Sequence, residues 1–173
     1  MPSTKMAGMM AAAILSDTVM FKSPTCTDRD RRTAERMARI ANVSLEELGR
    51  DIFSASMDSR TTKDLLFSDY KEFHIAGHDL AVAQITCVDS PQMLLRKEEF
   101  LKLMTQKAEK EHFDLMILML TDVLLEGTQI IYVGADETIQ QAFSANPKEN
   151  TVFLPKVMSR KKQVIPMLSA LWG

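Results

Sequence analysis

The sequence predicts an α/β protein, with a helical N-terminal appendage followed by a compact mixed β-sheet domain with packed helices. Three observations predict it. The first third is rich in Ala, Met and Leu, with apolar positions at helical spacing. Near residue 62 the periodicity switches toward alternation and β-branched residues. Beyond that point the order is strand pair, helix, strand pair, helix, strand, helix. That order builds a mixed sheet with helices against it.

The elements follow in turn. Met6–Phe21 reads as a helix, ended by Lys22-Ser23-Pro24 because a residue before proline avoids helical backbone. Thr27 is the N-cap of a helix over Asp28–Ala41, with Asp28 and Asp30 in its first turn. Ser44 with Glu47 forms a capping-box pattern that opens a helix to about Ala55. The polar stretch 54–62 is the candidate boundary. The expected division is 1–55, a linker at 56–61, and a domain over 62–173. A short helix at Thr62–Phe67 leads to strands Lys71–Ile75 and Leu80–Val88, joined around Gly77-His78-Asp79. Ser90 and Pro91 open a long helix, Pro91–His112. Asp114–Thr121 is a near-continuous apolar run that fits a buried strand. Strand Gln129–Val133, helix Glu137–Phe143 and strand Thr151–Leu154 follow. A last helix starts near Ser159.

Composition narrows the function. The 173 residues carry 21 Lys plus Arg against 23 Asp plus Glu, a net charge of −2. Neither sign dominates, so no general electrostatic case exists for nucleic acid or an anionic membrane. Cys26 and Cys87 are too few for a disulfide framework, and no CxxC pair is present. The first residues lack a secretory n-region, and the apolar run Met6–Leu15 is shorter than a membrane span. The expectation is a soluble cytoplasmic protein.

Two anomalies carry the chemistry. Ser159-Arg160-Lys161-Lys162 puts three consecutive cations in the first turn of a helix. That is the wrong sign for the dipole, at about 0.3–1 kcal/mol each when exposed, and a bound phosphate would reverse the argument. A solvated charge run is the alternative. Asp17 lies in an otherwise apolar stretch, where a carboxylate needs a partner or a metal unless it sits at a wet edge. His74, His78 and His112 are scattered, with no metal-ligand spacing. Taken alone, Lys71 is a routine surface lysine.

Three groups of residues resemble a known family. They are Ala7-Gly8-Met9-Met10 through Ser16-Asp17-Thr18 and Phe21–Asp28; Asp69-Tyr70-Lys71-Glu72-Phe73 with Thr121-Asp122; and Ser159-Arg160-Lys161-Lys162-Gln163 with Pro166. Together they resemble the family II, manganese-dependent inorganic pyrophosphatases of the DHH phosphoesterase superfamily. The resemblance implies that residues 1–55 are the tail of the metal-binding (DHH) domain, 56–61 a hinge, and 62–173 the DHH-associated substrate-binding domain. It implies that Asp17 is a ligand of one metal, and that Lys71, Arg160 and Lys161 grip pyrophosphate. The implied cofactor is Mn²⁺, with Mg²⁺ or Co²⁺ as possible replacements, in the intact parent.

The family's His-x-x-x-Asp-x-Asp and Asp-His-His motifs do not occur in these 173 residues. One carboxylate cannot assemble a two-metal site. The chain is therefore expected to match the C-terminal part of such an enzyme, to hold no metal tightly and to be inactive alone. Lys156 stands where the family usually has glycine, so a positive φ there would strain the loop. The partially covered helix Met6–Phe21 is expected to drive homo-oligomerisation through the N-terminal helices. Two other readings are a non-catalytic module that binds an anion or a partner, and a phosphoesterase relative acting on polyphosphate or nucleotides.

Overall fold

The computed structural model describes residues 1–23 and 25–173. Its contacts divide the chain into two compact units, Met1–Ser59 and Arg60–Gly173.

The first unit is helical. Helix α1 (Thr4–Asp17) is capped by Ser3, whose hydroxyl accepts from the Met6 amide. It stops four residues short of the expected Phe21. The Thr18 hydroxyl donates to the Ile14 carbonyl at 2.6 Å and accepts from the Phe21 amide at 3.1 Å. Val19, Met20 and Phe21 then take left-handed backbone, at φ 49°, 53° and 66°. A side chain thus ends the helix before any proline is reached. Pro24, the expected terminator, lies outside the described residues.

Helix α2 (Asp28–Ala41) has the full capping box at Thr27 and Asp30. Hydrogen bonds from the Thr27 amide and hydroxyl hold the Asp30 carboxyl below its usual range. Ala34, Met37, Ala38 and Ala41 are buried, as their spacing predicts. Ala7 and Ala11 of α1 pack with Met37 and Ala41. The three alanines bring the two helices close together.

Helix α3 (Leu45–Asp58) is capped by Ser44 and runs three residues past Ala55. Residues 56–58, assigned to the linker by composition, are its last turn. Exposed Ser and Asp are tolerated in a helix end, so polarity alone marks no boundary there.

The second unit begins with α4 (Thr62–Ser68). Among the described residues, five strands form one sheet in the order β1 (Tyr70–Ile75), β2 (His78–Cys87), β3 (Leu115–Asp122), β4 (Gly127–Val133), β5 (Thr151–Pro155). The β2–β3 pair is parallel and the other three pairs are antiparallel. The β1–β2 hairpin turns on Ala76 and Gly77, both at positive φ, the backbone that a two-residue hairpin requires.

The crossover from β2 to β3 is α5 (Ser90–Met93), a 3₁₀ turn at Leu94–Arg96, and α6 (Lys97–Glu111). One continuous helix was expected there, capped at Ser90. The observed cap is Asp89, whose carboxylate accepts from the Gln92 amide. Leu94-Leu95-Arg96 contains no residue that breaks a helix. A tertiary contact accompanies the break, with Arg96 Nη1 donating to the Arg60 carbonyl at 2.9 Å.

Every residue of β3 is buried. One sheet face places Leu80, Val82, Leu115, Ile117, Met119, Ile130 and Tyr132 against Ile139 of α7 (Asp136–Phe143) and Leu168 of α8 (Ile165–Trp172). Alternation sends Ala81, Ala83, Met116 and Leu118 to the opposite face, toward α4 and α6. Among the described residues, no helix is long and apolar enough to cross a membrane.

Candidate anion-binding site

The cation segment follows β5. Lys156 turns the chain at φ 60° and donates its amide to the Glu126 carbonyl at 2.8 Å. The positive φ expected from the missing glycine is present. Left-handed backbone costs an L-residue about 1–2 kcal/mol, and glycine returns roughly 0.4–1 kcal/mol of that through unfolded-state entropy. Lys156→Gly is therefore expected to stabilise the protein by about 0.5–1 kcal/mol, measured by denaturant unfolding.

A polar network fixes the loop after Lys156. The Thr128 hydroxyl donates to the Val157 carbonyl and pairs with the Thr121 hydroxyl. Gln84 Nε2 donates to Thr121 Oγ1 at 2.9 Å and to the Met158 carbonyl at 3.1 Å. From the other side, Gln163 Oε1 accepts from the Met158 and Ser159 amides, while its Nε2 donates to the Lys156 carbonyl. Ser159 caps the next turn by accepting from the Lys162 amide. That turn, Arg160–Val164, is π-helical and runs into α8.

The three cations have different surroundings. Lys161 and Lys162 are exposed, but Arg160 is buried. Its Nη1 donates to the Asp69 carbonyl at 2.9 Å and the Val82 carbonyl at 3.0 Å. Its Nη2 meets Asp69 Oδ1 at 2.7 Å. The run of three cations is thus two exposed lysines and one buried, paired guanidinium, so the alternative of a fully solvated charge run does not hold at Arg160.

Lys71 is exposed on edge strand β1 and pairs in register with Val82, whose carbonyl receives Arg160. Lys71, Arg160 and Lys161 all belong to the second unit. Asp17 belongs to the first unit, where it is exposed at the end of α1. Among the described residues, no group of three or more His, Cys, Asp or Glu could hold a metal ion. The residues present do not fit a two-metal centre, and no reaction step is derived through one.

Asp69, Gln84, Thr128 and Gln163 build this site but were not singled out by sequence reasoning. Asp69 and Gln163 stand inside the quoted motifs. Gln84 left a signal of its own, an amide directly after the apolar run Leu80–Ala83.

The remaining reactive groups lie elsewhere. His74 pairs with Asp79 at 2.6 Å, and His78 stacks on Trp172. Burial, with the Asp122 charge adding to it, pushes the Cys87 thiol up to about 12. The folded value lies above the unfolded 9.0. The resulting stabilisation is full below pH 9 and is lost as pH rises toward 12. A neutral buried thiol is a poor nucleophile. Ellman's reagent at pH 8 is expected to spare Cys87 in the native protein and modify it on unfolding; rapid native labelling would contradict its burial.

The family model of the DHHA2 domain matches residues 51–171. The chain belongs to the DHHA2-domain family. A manganese-dependent inorganic pyrophosphatase of Methanothrix thermoacetophila is 43% identical over 173 residues, covering 97% of this chain and 56% of that protein. A cobalt-dependent inorganic pyrophosphatase of Clostridium perfringens is 38% identical, covering 98% of this chain and 32% of that protein. A crystal structure from Methanococcus jannaschii, assigned to the family II inorganic pyrophosphatases, superposes with a TM-score of 0.68 at 35% identity. It is covered to 57% by this chain, of which 99% is matched. The DHHA2 chain spans about half the length of most of these relatives and aligns with their C-terminal half.

Proposed function

We propose that this chain supplies the substrate-binding part of a manganese-dependent inorganic pyrophosphatase. Lys71, Arg160 and Lys161 neutralise charge on the phosphoryl oxygens of pyrophosphate. Asp17 is one ligand of the metal centre, and Mn²⁺ is the cofactor of the complete enzyme, with Co²⁺ or Mg²⁺ as substitutes. Residues 1–55 form the tail of the metal-binding domain and 62–173 the substrate domain, with 56–61, the last turn of α3 and the three residues after it, as the hinge. The observation that carries this reading is the 43% identity, over 97% of the chain, to a manganese-dependent pyrophosphatase. The buried, prearranged Arg160 beside exposed Lys161 supports it.

The protein acts in the cytoplasm on a small anion, without nucleic acid or membrane. It self-associates through α1, where Met6, Met9 and Met10 are 56%, 66% and 41% exposed. Light scattering is expected to show a dimer or larger species that Met6→Ser with Met9→Ser dissociates. A monomeric parent chain would count against this.

The direct test is phosphate release from pyrophosphate by the 173-residue chain with Mn²⁺ present. No release is expected from this chain alone. Release that vanishes in Arg160→Ala would show that a metal centre assembles after all, between subunits.

A further inference from the structure

We infer that Asp69 is a positioning residue, which locks the Arg160 guanidinium with its phosphate-gripping edge turned out of the fold. This rests on the anion-binding role proposed above. A guanidinium has five N–H donors in a rigid plane. Both hydrogens of Nη1 are committed, to the Asp69 and Val82 carbonyls. Asp69 also takes one hydrogen of Nη2 through Oδ1. One residue spanning both Nη atoms uses the end of the fork. The pair left over is Nε–H with the second Nη2 hydrogen, the side edge of the same plane.

The Nε end of that leftover edge reaches solvent. Among the described residues, no buried side-chain nitrogen lacks a hydrogen-bond partner. Arg160 donates only through its Nη atoms, so Nε is not among the buried nitrogens. Two parallel N–H groups on one edge make the two-pronged grip that suits phosphate oxygens. An arginine held in advance loses less freedom on binding than a mobile one.

Asp69 is itself anchored. Its carbonyl also accepts from the Gln84 amide at 2.9 Å, and it directly follows α4. Lys71 lies two residues further along the same segment. Asp69 therefore sets the arginine edge relative to the strand that carries the lysine. Its carboxylate is half-exposed, so its repulsion toward an incoming anion is screened by water.

Two arms test this on the full chain. In the first, pyrophosphate is titrated calorimetrically into wild type, Asp69→Asn and Asp69→Ala. The amide oxygen of Asn still accepts from Nη2, so Asp69→Asn is expected to bind within about two-fold of wild type. Asp69→Ala is expected to bind about ten-fold more weakly. The Asp69→Ala effect should disappear in an Arg160→Ala background, which a general structural lesion would not do. Tighter binding by Asp69→Ala would show that the carboxylate competes with the ligand, and would overturn the proposal.

In the second arm, NMR follows the Arg160 Nε–H of the ligand-free chain. It is expected to be rigid in wild type and mobile in Asp69→Ala. Rigidity in both would overturn the positioning role whether or not pyrophosphate binds. If wild type binds no pyrophosphate while the NMR arm behaves as expected, the proposed function fails and the positioning stands.

Discussion

Arg160→Met is expected to destabilise the second unit by about 2–4 kcal/mol. Methionine keeps the apolar stem but removes every donor. The Val82 carbonyl belongs to a fully buried residue and loses its Arg160 partner. Asp69 is half-exposed and can rehydrate. The larger share of the loss therefore comes from the buried side, at Val82 in the middle of β2. Arg160→Lys keeps the charge, but its single nitrogen on a shorter stem cannot reproduce the two-nitrogen fork, so it is expected to fall between wild type and Met. Thermal unfolding measures both. An unchanged Tm in Arg160→Met would show that these bonds contribute nothing net, and that Arg160 serves the ligand alone.

Asp122→Ala is expected to cost about 3–5 kcal/mol. Asp122 is 1% exposed at the end of β3. Its Oδ2 accepts from the Ser90 amide at 2.8 Å, and its Oδ1 accepts from the Leu124 and Leu125 amides at 3.0 Å each. One carboxylate thus joins the start of α5 to the turn between β3 and β4. Alanine leaves three amides without this acceptor. Asparagine cannot repair the site fully, because in either orientation its NH₂ faces an N–H donor. Asp122→Asn is expected to recover roughly half of the loss, by denaturant unfolding. Equal stability of Asp122→Ala and wild type would remove this carboxylate from the account of the fold.

Local signals were legible wherever neighbours in sequence decide the structure. Thr27 with Asp30, Ser44 ahead of α3, and the buried run of β3 all stand close to their expected positions. The misses share a cause. The break at Leu94–Arg96 goes with a contact to Arg60, 36 residues away. The early end of α1 uses a threonine hydroxyl that composition treats as one more tolerable helix residue. The site was half legible for the same reason. The cation run is plain in the sequence, as is the absence of a glycine at Lys156. That Arg160 is buried, and bound to a residue 91 positions earlier, depends on the sheet bringing β1 and β2 beside the segment after β5. Gln84 could have pointed there, since a side-chain amide in a buried strand needs partners.

The most direct test of the substrate-binding account is a calorimetric titration of pyrophosphate into the 173-residue chain, without added metal, beside Lys161→Ala. Lys161 is exposed, so Lys161→Ala leaves the architecture intact and, under the role proposed for it, removes a ligand contact. The account predicts one saturable site that weakens at least about ten-fold in Lys161→Ala. Equal binding by both proteins, or none by either, would contradict it.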